Sequence, residues 1–217
     1  MGKRKFDTCF FERYAQICLE TILGKYYSDL INEDRPDLQK PDHSLGIEVT
    51  RAMESRKDVA QDLLSEMAGF EVPSDAKEDI DRIIKSGYGY GLQEGKYVGH
   101  LEYEYWSLAL PLRRIIESKV AKVASGFYGE FAEYGLYIFC KDNLTEDEVA
   151  LVVEYACDLQ RHLDVKYSVM YLSQIDKLYV CDLSSSFSSD GVADVVSYDI
   201  SRKMCKDFFL KALRQVW

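Results

Sequence analysis

Proline is scarce in this chain, no cysteines are paired in a CxxC spacing, and no apolar run approaches the ~20 residues that a membrane-spanning helix needs. The first residues, MGKRKFDTCFFERYAQ, carry basic groups without the apolar core and small-residue cleavage site of a secretory leader. A cytoplasmic protein with no membrane partner is therefore expected. The six cysteines (Cys9, Cys18, Cys140, Cys157, Cys181 and Cys205) mostly have apolar neighbours, where a free thiol acts as a small hydrophobe. His43, His100 and His162 add no close pairs, so a structural zinc site is not expected. Positive charge is in deficit as well: 27 Lys and Arg against 37 Asp and Glu leave a net charge of −10. That balance argues against a protein that coats nucleic acid, since such coating depends on cations displacing counterions. A local basic patch remains compatible with it, and the final segment SRKMCKDFFLKALRQVW, with five basic groups and one acid, is a candidate.

What is present is an ordinary globular composition, 47% apolar and 29% charged over 217 residues, enough for one domain with a sizeable core. Residues 8–24 have helical periodicity, with Phe11, Tyr14, Ala15, Cys18, Leu19 and Ile22 on one face and Gly24 as a stop. KPDHS has turn chemistry, and LGIEVT after it is strand-like through its β-branched content. Residues 51–69 and 74–86 read as helices, the second capped by Ser74. The stretch from Ser86 to Trp106 holds five glycines and five tyrosines and reads as a flap or a twisted hairpin. A helix is expected from Pro111 to Gly126. Beyond it, YGLYIFC, YSVMYL, KLYVCDL and VADVVSY are strand-like. TEDEVALVVEYACDLQRHL is a helix with a capping box from Thr145 to Glu148, and a further helix closes the chain. This alternation predicts a mixed α/β fold with a central sheet flanked by helices. The expected organisation is a single domain over 1–217, with a helical and Gly-Tyr-rich insertion around 70–106.

Two carboxylates conflict with their surroundings. Glu48 sits between Ile47 and Val49, so alternation turns it to the opposite face of the strand. If that face is buried, the carboxylate needs a cation or a proton. If the strand lies at an edge, Glu48 simply faces solvent. Asp37, after Pro36, stands where a neighbouring strand could begin. Two such groups together suit Mg²⁺, which takes one or two protein carboxylates beside water and phosphate.

RPDLQ, a short turn and GIEVT, preceded by a helix containing Glu12, resemble the PD-(D/E)XK nuclease superfamily, and in particular bacterial proteins that carry PDLQ followed by IGIEVT near the N-terminus. The motif covers about residues 8–60, and the later elements agree with it by order. The resemblance implies a restriction-endonuclease-like core and a nuclease that uses Mg²⁺ or Mn²⁺ to hydrolyse phosphodiester bonds in DNA or RNA. Asp37 and Glu48 would be the metal ligands and Glu12 an auxiliary acid on the first helix. Helical phase places Glu12 at the edge of the apolar sector and Glu20 on the polar face. A nuclease that cuts both strands of a duplex needs two sites, which makes a homodimer one expectation.

The chain departs from that pattern at Thr50, where the superfamily has a lysine that stabilises negative charge on the phosphate. Lys119 is the candidate substitute. It lies amid an apolar helical face, in phase with Leu112, Ile115, Ile116 and Val123, where a lysine must either reach water or meet an acid. Arg51 and Lys57 are weaker candidates, Arg51 because it alternates to the face opposite Thr50. Alternative readings are a catalytically impaired nuclease-like protein with a binding or regulatory role, and an unrelated α/β protein with a coincidental motif.

Overall fold

A computed structural model describes residues 8–52, 92–93, 96–97, 100–140, 143–187 and 193–214. The chain divides into two compact units, one of residues 1–51 with 117–217 and one of 52–116. Among the described residues, the second unit contains an antiparallel ribbon of β4 (Leu92–Gln93) and β5 (Lys96–Tyr97). It also contains the start of helix α2 (His100–Ala124), whose last turns, from Glu117 on, belong to the first unit. Within the Gly-Tyr-rich stretch, the described residues 92–93 and 96–97 pair as the hairpin alternative expects. The helix expected to start at Pro111 begins instead at His100 and runs through the proline. One proline removes a single backbone hydrogen bond from a 25-residue helix, which the remaining ladder tolerates. The helices expected at 51–69 and 74–86 lie outside the described residues, except that positions 51 and 52 are strand.

The first unit is built on a seven-stranded sheet in the order β1-β2-β3-β6-β7-β8-β9. Helix α1 (Thr8–Leu23) leads into β1 (Ile31–Asn32), β2 (Leu38–Gln39) and β3 (Leu45–Ala52), three strands joined as antiparallel neighbours. The carbonyls of His43 and Ser44 accept from the amides of Ala132 and Glu133, so β3 and β6 (Glu133–Cys140) enter the sheet at the same end. Helix α3 (Glu146–Gln160) crosses from β6 to β7 (Val169–Ser173), which pairs with β6 in parallel. β8 (Lys177–Asp182) and β9 (Asp194–Asp199) extend the sheet as antiparallel strands, and α4 (Arg202–Arg214) follows. The sheet is therefore mixed, with helices on both faces.

Period-two alternation decides which helices cover which face. Leu38, Leu45, Ile47, Tyr137, Tyr171 and Leu178 point to one side and bury against Ala15, Cys18 and Leu19 of α1 and Phe208 and Ala212 of α4. On the other side lie α3 and the end of α2. The Tyr179 hydroxyl donates to the Leu144 carbonyl just ahead of α3, and the Tyr155 hydroxyl on α3 donates to Glu117 on α2. Helix α3 begins with the expected capping box: the Thr145 hydroxyl accepts from the Glu148 amide at 3.3 Å, and the Glu148 carboxylate accepts from the Thr145 amide at 2.6 Å. No helix among the described residues is long and apolar enough to cross a membrane.

Candidate active site at the β2–β3 edge

Strand register brings the two carboxylates together. Leu38 faces Ile47 and Gln39 faces Gly46, so one further step along the same antiparallel register sets Asp37 opposite Glu48. Asp37 Oδ2 accepts a hydrogen bond from the Val49 amide at 2.7 Å, which clamps the carboxylate onto β3. The close approach depends on Gly46. A Cβ built there would stand 2.7 Å from Pro36 Cγ and 3.0 Å from the Phe131 ring. A side chain at 46 would therefore push away the proline that precedes Asp37.

Glu48 is buried, 7% exposed, and does not face solvent. Its partner is Lys119, whose ammonium donates to Glu48 Oε1 in a close ion pair. Helix α2 aims that lysine at the strand while Val120 and Val123 of the same turns are buried. The lysine predicted from helical phase to reach water or meet an acid thus meets the strand acid.

Asp37 behaves as an acid in a partly dry, negatively charged place. Burial first, and then the charge of Glu48, push its carboxyl up from the ordinary 3.8 to about 7. The Val49 amide opposes the rise, Glu12 adds to it, and Lys119 reduces it. Glu48 and Lys119 meet beside Asp37, whereas Glu12 bears on it only through its charge. Glu12 takes part from farther off: it is half-buried on α1, and its carboxylate accepts from the Asn32 side chain at 3.0 Å.

Thr50, two residues after Glu48, is half-buried and by alternation shares the Glu48 face. A lysine at that position would point where Lys119 now arrives from α2. Arg51 alternates away as expected, and its guanidinium lies 4.5 Å from the centre of the Phe11 ring on α1. Lys57 lies outside the described residues.

Two tyrosines near the site were not legible in the sequence. Helix α2 ends in the turn GFYG, where Gly126 (φ 72°) and Gly129 (φ 80°) occupy the left-handed region open to glycine. The turn places Tyr128 inside, 3% exposed, with its hydroxyl buried and without a hydrogen bond of normal geometry. Burial raises the phenol above its ordinary 10; the nearby Tyr167 hydroxyl lowers it and the Glu48 charge raises it further. Tyr128 thus lies near Glu48 and Tyr167 with its hydroxyl bonded to neither. Tyr167, almost fully buried, donates to the Lys119 backbone carbonyl at 3.3 Å. A tyrosine in a turn between a helix and a strand carries no periodic signal, so only the fold shows where Tyr128 points.

The donor set suits a hard divalent cation better than zinc. It offers two carboxylates and no thiolate or imidazole, and no group of three or more His, Cys, Asp or Glu among the described residues is arranged to hold a metal. Mg²⁺ commonly makes do with two carboxylates, completing its shell with water and phosphate oxygens. With Asp37 ionised, above about pH 7, the pair carries more negative charge than one lysine offsets, which favours a further cation. No family model, curated protein or solved structure matches this chain.

Proposed function

We propose that the protein is a metal-dependent nuclease of the PD-(D/E)XK type, with a restriction-endonuclease-like core and its lysine supplied from a helix. The observation that carries this reading is the ion pair between Lys119 and Glu48, beside Asp37 and opposite the position where Thr50 replaces the expected lysine. A buried acid next to a half-buried one, with a single cation, is a costly arrangement for stability alone, because desolvation penalises each charge. It is useful where a phosphate must be held and its growing charge neutralised.

In this reading Asp37 and Glu48 hold Mg²⁺ or Mn²⁺, and the bound ion supplies Lewis acidity toward a phosphate oxygen. Hydrolysis joins a water oxygen to phosphorus and breaks one ester P–O bond, and the departing oxygen takes up a proton. Lys119 stands where its ammonium can stabilise the charge building on the phosphate. Val49 fixes the Asp37 carboxylate through its backbone amide, so the group does not reorganise during the step. Glu12 keeps the surroundings of Asp37 negative and raises the demand for a cation.

The test is cleavage of single- and double-stranded DNA and RNA with Mg²⁺ or Mn²⁺. Activity should appear with the metal, vanish with EDTA, and be abolished by Asp37→Asn or Glu48→Gln. Thr50 favours a second reading, a nuclease-like fold that binds without cutting. Metal binding in calorimetry with no cleavage of any substrate would select it.

A further inference from the structure

At the rim of the carboxylate pair stands a feature that the hydrolytic chemistry does not use. Phe127, next to Tyr128 in the turn after α2, leaves 44% of its surface in solvent. Two cations lie over its ring: the Arg35 guanidinium and the Lys122 ammonium each stand 5.1 Å from the centroid. All three side chains are tied to the site by the chain itself. Arg35 is separated from Asp37 only by Pro36, and Lys122 follows Lys119 by about one helical turn. Phe127 meets the Tyr128 ring edge-on at 5.4 Å, and Tyr128 is the neighbour of Glu48.

A chain with a net charge of −10 has little positive charge to spare, yet it sets two cations around one exposed ring at the edge of a phosphate site. Local stabilisation accounts for part of this. Cation–π contacts hold a turn, and Lys122 in the last turn of α2 complements the helix dipole. Arg35 also contacts Asp34 at 3.5 Å, but both side chains are solvent-exposed and such a pair is weak. None of these contacts requires a large aromatic ring left open to water.

We propose that Arg35, Lys122 and Phe127 form a clamp for single-stranded nucleic acid, in which the two cations swing from the ring to phosphates beside the scissile one and the ring face they uncover stacks on an unpaired base. The choice of ligand rests on the nuclease reading, since the clamp borders that site. Single strands fit because their bases can splay onto an aromatic ring, whereas duplex bases are already stacked on each other. Phosphate contacts from two cations set the strand's position without reading its sequence.

The experiment is fluorescence anisotropy in EDTA at low salt, so that binding is read without cleavage. The probes are short fluorescein-labelled oligo(dT) and oligo(U) and a labelled mixed-sequence DNA duplex. The wild-type chain should bind at least one single strand more tightly than the duplex, and the two single-stranded probes separate DNA from RNA preference. Phe127→Leu should weaken single-strand binding about tenfold, while the loss of two exposed cation–π contacts lowers the thermal midpoint only slightly and leaves the chain folded. Arg35→Gln and Lys122→Gln should each flatten the salt dependence of binding by about 0.7 in log–log slope. Absence of single-strand binding, equal binding of the duplex, or an unchanged affinity in Phe127→Leu would overturn the clamp. A protein that binds this way but cuts nothing retains the clamp and loses the nuclease reading. One that cuts yet ignores Phe127→Leu does the reverse.

Discussion

In the proposed reaction Lys119 holds the central place, as the cation paired with Glu48. Replacing it with methionine keeps the stem and removes the charge, so the helix should still pack while turnover falls by about 10² to 10³. Adding Thr50→Lys to that variant returns a cation from the strand and should recover part of the activity, measured as kcat on one chosen substrate. Full activity in Lys119→Met would end the role proposed for it. Asp37 makes a separate claim. A carboxyl pushed up to about 7 must lose its proton before it can ligate a cation. Mn²⁺ affinity, followed by calorimetry, should therefore weaken about tenfold for each pH unit below about 7 and level off above it. At this scale the sequence was informative wherever a residue conflicted with its surroundings. A lysine on an apolar face and an acid inside an apolar strand both announce a missing partner. Tyr128 conflicts with nothing around it in the sequence and so went unseen.

Among the elements, the β2–β3 hairpin does most to position the site; the face of Glu48 was readable from alternation, but the register that sets Asp37 opposite it comes from the fold, and a one-residue slip would turn Glu48 to the face that Ile47 buries. Gly46 is the weak point of that hairpin. Gly46→Ala would place a methyl 2.7 Å from Pro36 Cγ, closer than packed Cβ atoms come, and tightly against Phe131, so the proline must shift and the ring must give. The expected cost is about 1–3 kcal/mol in urea denaturation, with weaker Mn²⁺ binding as Asp37 moves with its proline. Unchanged stability would mean that Pro36 yields freely and does not anchor the acid. Helix α2 was read less well. Pro111 is suited to a first helical turn and marks the expected start, whereas the helix passes through the proline from His100. Proline marks where helices often begin, but a long helix can absorb one missing bond, and only the neighbouring structure decides between the two.

For the molecule as a whole, strand and helix content followed from periodicity, but the strand order did not, because nothing local specifies that β3 lies beside β6 or that β9 ends the sheet. That order sets α1 and α4 on one face and α3 with the end of α2 on the other, and so decides that Lys119 can meet Glu48. Folding also ties the site to global stability. Asp37 takes up a proton more readily in the folded chain, at about 7, than at its ordinary 3.8. Between those values the native state holds a proton that the unfolded chain has released, so stability falls as pH rises through the interval. Other acids in a chain of net charge −10 add their own pH dependence, so the informative quantity is a difference between variants. In EDTA, the thermal midpoint of the wild-type chain should drop more steeply between about pH 4 and about pH 7 than that of Asp37→Asn. Saturating Mg²⁺ above about pH 7 should raise the wild-type midpoint, since a ligand that binds only the folded state stabilises it, and should leave Asp37→Asn nearly unmoved. Parallel pH profiles for the two proteins would show that Asp37 is not the buried acid the fold makes of it. A Mg²⁺ shift of equal size in both would place the cation somewhere other than the β2–β3 edge.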